Sequence, residues 1–171
     1  MLKAAGAVLI MTACCFWAFS AVGELRRHVR TLESLAASMN VLEGEIFCRL
    51  SPLGDVVRLL ADNAQEPACC FYKRVDENME KLGESSFYAI WREAVVNCSE
   101  LNLTREENEL LCELGMSLGR YDVDKQAQAI KYTERQLEYM VKRASEQSRK
   151  DGKLHAVFPL LAGVFVIIIL L

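Results

Sequence analysis

Leu32, Leu35, Met39, Leu42 and Ile46 recur at alternating steps of three and four, the spacing that gathers apolar side chains on one face of an α-helix. The same period continues down the chain. Ser51-Pro52-Leu53-Gly54 ends the first helix and opens a second, with serine as cap and proline in the first turn. Leu53, Val56, Val57 and Leu60 give that helix its apolar face. Gln65-Glu66-Pro67 interrupts the pattern, and a third helix is predicted from about Ala68 to Leu82, closed by Gly83. Ser86 caps a fourth, whose core side is Phe87, Ile90, Trp91, Ala94, Val95 and Cys98. Thr104 and Glu107, three apart, form a capping box for a fifth that buries Leu110, Leu111, Leu114 and Leu118. From Val123 to about Arg149 neither Gly nor Pro intervenes. Ile130, Leu137, Val141 and Ala144 make a thin stripe on this sixth, charged helix, and its far part is expected to project from the bundle.

The two ends of the chain break this amphipathic rule. Ala4 to Val22 carries no charge and approaches the roughly 20 residues that span a hydrocarbon core. Arg26, Arg27 and Arg30 follow it, against a single Lys3 before it, so the arginine side is expected in the cytoplasm. A cleaved signal peptide would fit Lys3 and the small residues Ala18, Ser20 and Ala21. Met11-Thr12-Ala13-Cys14 loosely matches a lipoprotein box, yet the chain stays apolar for several residues beyond Cys14, which favours an anchor. Ala156 to Leu171 is apolar to the last residue; at about 1.5 Å per residue it is somewhat shorter than a 30 Å core. Lys150, Asp151-Gly152 and Lys153 are expected to form a joint before it, and Pro159 falls in its first turn. Lys142, Arg143, Arg149, Lys150 and Lys153 precede it, again on the side of the middle. The expected organisation is a transmembrane helix over 1–23, a cytoplasmic all-α bundle of about six helices over 24–153, and a second transmembrane helix over 154–171.

Charge changes this picture little and cysteine hardly at all. Apart from Lys3, every charged residue lies between Glu24 and Lys153, and acids outnumber bases there. Lys and Arg are interleaved with Glu, which speaks against a nucleic-acid groove. Seven cysteines are present, an odd number with no Cys-x-x-Cys pair, and only His28 and His155 accompany them. Reduced thiols, mostly buried, and no metal site are expected. No phosphate-cradling Gly-x-x-x-x-Gly-Lys loop occurs, and no nucleophile and base are placed together, so neither catalysis nor a cofactor is expected. Glu43 and Glu45 are two apart and point to different sides of a helix, which leaves room for one of them near the buried stripe, but solvated carboxylates are the commoner case and the first reading.

The most specific stretch is Glu113 to Gln126, ELGMSLGRYDVDKQ. Gly115 and Gly119 are four apart and fall on one helical face, where another backbone can come close, and Gly119 also suits the helix end. Asp122 is placed to cap the next helix, with Gln126 one turn further on. The stretch reads as helix, tight corner, helix.

These residues resemble the stage III sporulation protein AB family of endospore-forming bacteria. Leu42-Glu43-Gly44-Glu45-Ile46 followed by Ser51-Pro52-Leu53, Trp91-Arg92-Glu93-Ala94, and the apolar segments at both ends agree with it. The resemblance covers the whole chain. It implies a fold similar to the cytoplasmic domain of the inner-membrane platform proteins of type II secretion and type IV pilus systems. It further implies a place in the apparatus between mother cell and forespore, with a stage III sporulation protein AA-like hexameric ATPase as partner alongside other channel components. Gly115, Gly119, Asp122 and Gln126 are then candidates for meeting a partner, while packing alone is the simpler reading of the glycines. Self-association is left open, and the alternative function is a membrane-tethered adaptor or morphogenetic protein without a motor.

Overall fold

The computed structural model describes the backbone of residues 2–119 and 122–170, and the side chains of 23–119 and 122–150 together with those of Thr12 and Ser20. Six α-helices follow one another: α1 (Leu2–Glu43), α2 (Leu53–Asn63), α3 (Ala68–Asn78), α4 (Phe87–Asn97), α5 (Arg105–Leu118) and α6 (Val123–Leu170). A π-helical turn, Gly44–Cys48, ends α1, and short 3-10 turns, Met79–Lys81 and Ser99–Leu101, follow α3 and α4. Among the described residues there is no strand, only an isolated bridge between Leu82 and Ser85. Residues 30–141 form one compact unit, and 1–29 with 142–171 form another. The two expected membrane spans, 1–23 and 154–171, fall almost wholly outside the residues whose side chains are described. Among the described residues no helix is long and apolar enough to cross a membrane.

The predicted stripes form the core of the compact unit. Leu32, Leu35, Met39 and Leu42 are fully buried, and Ile46 nearly so. Every apolar residue assigned to the core side of the fourth helix is buried, as are Leu110, Leu111, Leu114 and Leu118 of α5. Thr31, Ser34 and Ser38 share the buried face of α1. The Ser38 hydroxyl donates to the Leu35 carbonyl at 2.7 Å, so the Tyr72 hydroxyl, also 2.7 Å away, serves as donor to Ser38. That bond ties α1 to α3. Arg58 and Asp76, 3.6 Å apart, sit across the antiparallel pair α2 and α3. Lys131 and Glu43, 3.0 Å apart, place α6 beside the end of α1.

Four local expectations are corrected. Ser51 does not cap α2: its hydroxyl donates to Glu45 Oε2 at 3.0 Å, and Pro52 occupies the residue before the helix. Glu45, expected to be solvated, has a side chain only 15% exposed and also holds Arg49 at 2.9 Å. The turn that follows α1 folds back on that carboxylate, which takes the hydroxyl away from the helix start. The joint expected at 150–153 is no break, since α6 runs through it to Leu170. One glycine inside a helix costs only about 1 kcal/mol relative to alanine, and the helical flanks absorb it. The third helix also stops earlier than expected, at Asn78, whose side-chain amide donates to the Arg74 carbonyl at 2.8 Å. Gly83 does turn the chain there, at φ +115°.

Candidate functional site

The corner between α5 and α6 begins with a firmly started helix. Thr104 Oγ1 accepts from the Glu107 amide at 3.4 Å, and Glu107 Oε2 accepts from the Thr104 amide at 2.7 Å. Two of the amides that a helix start leaves open are thereby satisfied. Leu110, Leu111, Leu114 and Leu118 then face inward, and Gly115 lies on the same buried side.

What approaches Gly115 is a ring rather than a backbone. A β-carbon there would lie 2.2 Å from Trp91 Cδ1 and 2.5 Å from Cγ, far inside any real contact. The indole is locked in place because its N–H donates to the Leu111 carbonyl at 2.7 Å. Phe71 meets the indole edge-on with ring centres 4.8 Å apart, and Phe87 lies 5.6 Å from it. Trp91 therefore joins α3, α4 and α5, and Gly115 is the recess that admits it. Gly119 faces the same helix under less constraint. A β-carbon there would meet Phe87 Cβ at an ordinary 3.7 Å. Gly119 ends α5 at φ −75°, so no left-handed conformation demands a glycine.

Across the corner the two polar residues close the chain on itself. Asp122 Oδ1 accepts from the Lys125 amide at 3.2 Å while Oδ2 pairs with Lys125 Nζ at 3.1 Å. These bonds from Lys125 hold the carboxyl below its ordinary range. Gln126, half-buried, donates its side-chain amide to the Leu118 carbonyl at 3.0 Å. It thus satisfies an acceptor that the end of α5 leaves open. Of the four candidate residues, Gly115 is covered by Trp91 and Gln126 is engaged with α5. Gly119 and Asp122 remain open to solvent.

Two further surfaces escaped the sequence reading. On the outer side of α4 and α5 an open groove of about 850 Å³ runs past Tyr88, Arg92, Val96, Cys112 and Met116. The second is Leu50, 78% exposed and at φ +54°. Exposure of a single apolar side chain is common and carries no sequence signal. The groove exists only once two helices are paired.

Five of the seven cysteines lie among the described residues. Cys69 and Cys98 are buried, Cys70 and Cys112 are partly so, and Cys48 is exposed; all five are free thiols. Burial first, and then the Glu100 carboxylate, push the Cys98 thiol up to about 11. Burial likewise raises Cys70 and Cys112. A thiol shifted this way is a poor nucleophile at neutral pH. Among the described residues no group of three His, Cys, Asp or Glu is placed to hold a metal ion.

The described residues build an all-α bundle whose most specific motif shapes the corner between α5 and α6. The chain belongs to the stage III sporulation protein AB family, whose model matches residues 3–171. It is 27% identical over 172 residues to stage III sporulation protein AB of Bacillus subtilis (strain 168), covering 100% of both chains. A solved structure of stage III sporulation protein AB superposes with a TM-score of 0.66 over 72% of this chain and 97% of that one. Its sequence identity is 24%, and the likeness speaks for the fold alone.

Proposed function

We propose that this chain is a membrane-anchored platform component of the sporulation apparatus between mother cell and forespore, and that its helical bundle docks a cytoplasmic secretion-type ATPase of the stage III sporulation protein AA kind. The observation that carries the reading is the family match, which extends over residues 3–171 and so takes in both apolar ends as well as the bundle. The packing role of Gly115 under Trp91 fits a part that positions a motor, with the nucleotide chemistry belonging to the partner. In this reading 1–23 and 154–171 are the anchors, 24–153 lies in the cytoplasm on the mother-cell side, and the corner carrying Gly119 and Asp122 is within reach of the partner. Gly115 and Gln126 give that corner its shape.

Copurification tests the reading. The full chain, tagged and extracted in detergent from sporulating cells of its host, should bring with it an ATPase of the hexameric secretion type. An intact chain that returns without any ATPase refutes motor docking and leaves the membrane-tethered adaptor. Topology is read separately with a variant keeping only the exposed Cys48. A membrane-impermeant thiol reagent should leave it unlabelled until the cells are broken, and labelling of intact cells would place the bundle outside the cytoplasm.

A further inference from the structure

Charge is divided unevenly between the two compact units. Residues 30–141 carry 12 Lys and Arg against 20 Asp and Glu, whereas 1–29 with 142–171 carry eight against three. The first unit is therefore at −8 and the second at +5, which together make the −3 of the whole chain. All the bases of the second unit except Lys3 fall in two short stretches, 26–27 and 142–153. In sequence, each stretch separates an apolar run from the acidic unit.

Because α6 is unbroken here, spacing decides which side chains share a face. At about 100° per residue, Lys142, Arg143, Arg149 and Lys150 fall within roughly a third of the circumference. All four are exposed, as are Arg26 and Arg27 of α1 in the same unit. Arg26 and the four bases of α6 form no ion pair among the described residues. Glu24 and Glu146 are the acids among the described residues of this unit, and neither forms an ion pair, although Glu146 shares the basic face. Asp151 and Lys153, whose side chains lie outside the described residues, offset each other in charge.

What such a face would hold follows from its neighbours along the helix. The same helix continues from the basic face into the uncharged residues 156–170, and α1 passes from the uncharged residues 4–22 to Arg26. On both helices the bases stand within about two turns of an apolar run. Clusters of Lys and Arg in that position meet the headgroup layer of a bilayer, where anionic lipids attract them, and their long stems let the charged ends reach it. Orienting an anchor needs only an excess of bases on one side and is indifferent to which helical face bears them. Here they are gathered on one face and left without carboxylate partners. A nucleic acid suits the face less well. The stripe is about 12 Å long, and the acidic unit joined to it would repel a longer polyanion.

We infer that the face of α6 bearing Lys142, Arg143, Arg149 and Lys150 binds the headgroups of anionic phospholipids, with Arg26 and Arg27 adding to the field. The inference rests on the membrane anchoring of the proposed function and not on its motor. In the test, the full chain is reconstituted into nanodiscs of equal phosphatidylcholine and phosphatidylglycerol and re-extracted in mild detergent, and the retained lipids are counted by mass. Phosphatidylglycerol should be retained at least about fivefold over phosphatidylcholine. The combined variant Lys142→Gln, Arg143→Gln, Arg149→Gln and Lys150→Gln should bring the ratio below about twofold with helicity and melting unchanged. A control that removes four exposed bases of the other unit, Lys73→Gln, Lys81→Gln, Arg92→Gln and Arg135→Gln, should keep it. A second measurement needs no variant: raising salt from about 0.05 to 0.5 M should abolish the enrichment in the parent. Equal retention of the two lipids, enrichment that survives salt or the α6 variant, equal loss in the control, or nucleic acid retained in place of lipid overturns the inference. Alkaline carbonate washing of vesicles keeps the two readings apart. A chain that both kinds of vesicle retain, without lipid preference, overturns the headgroup site and leaves the anchors standing. A chain that washes out, yet binds only phosphatidylglycerol vesicles and loses that binding in the α6 variant, upholds the site and refutes the anchors.

Discussion

At the residue scale, the two glycines of the corner motif look alike in sequence and differ in structure. Gly115→Ala gains about 1 kcal/mol of helix propensity, but it drives a β-carbon to 2.2 Å from an indole held by its own hydrogen bond. Overpacking of this kind typically costs 1–3 kcal/mol, and the contact is severe, so the variant should be less stable by roughly 1–2 kcal/mol net. Gly119→Ala should change stability by less than about 0.5 kcal/mol, because its β-carbon meets only ordinary contacts. Urea unfolding of the two variants checks the difference, and equal stabilities would mean that Trp91 moves freely. Cys98 offers a second reading at this scale. Its folded-state value of about 11 lies above an ordinary value of 9.0. The buried neutral thiol therefore contributes its full stability below pH 9 and loses it as pH rises towards 11. The melting temperature should fall over that window, and Cys98→Ala should fall less steeply.

At the element scale, what was legible and what was not divide along a physical line. The stripes of α1, α4 and α5 were readable because helical period and burial are properties of one segment. The Thr104–Glu107 box was readable because both partners lie within one turn. Thr104→Ala should cost about 1 kcal/mol, seen as an earlier urea midpoint with unchanged slope. An unaltered midpoint would show that α5 is held by packing alone. Residues whose role depends on another element were not readable in the same way. Ser51 was assigned to the helix after it and instead serves Glu45 from the turn before it. Gln126 was placed by its spacing one turn into α6, and it reaches back to Leu118 across the corner. Gly115 announced a close approach, but nothing in its spacing named a tryptophan as the visitor. The corner was therefore readable in the sequence, and its internal wiring only in the fold.

At the scale of the whole molecule, the compact unit of residues 30–141 carries its own core, caps and buried hydrogen bonds. No buried side-chain nitrogen or oxygen among the described residues lacks a partner. A fragment spanning Glu24 to Lys153 should accordingly fold by itself, with a strongly helical circular dichroism spectrum that a chelator leaves unchanged. A strand-rich spectrum, or melting on addition of chelator, would refute this. The Lys131–Glu43 pair bears on how such a chain reaches its fold. Its partners are 88 residues apart in sequence, whereas Trp91 and Leu111 are only 20 apart. Closing a long loop costs more entropy than closing a short one, and contacts distant in sequence slow folding. The α4–α5 hairpin can therefore assemble as soon as both helices have left the ribosome, while the contact between α1 and α6 must wait for the last helix to be made. The Lys131–Glu43 contact is therefore expected among the last of the unit to form.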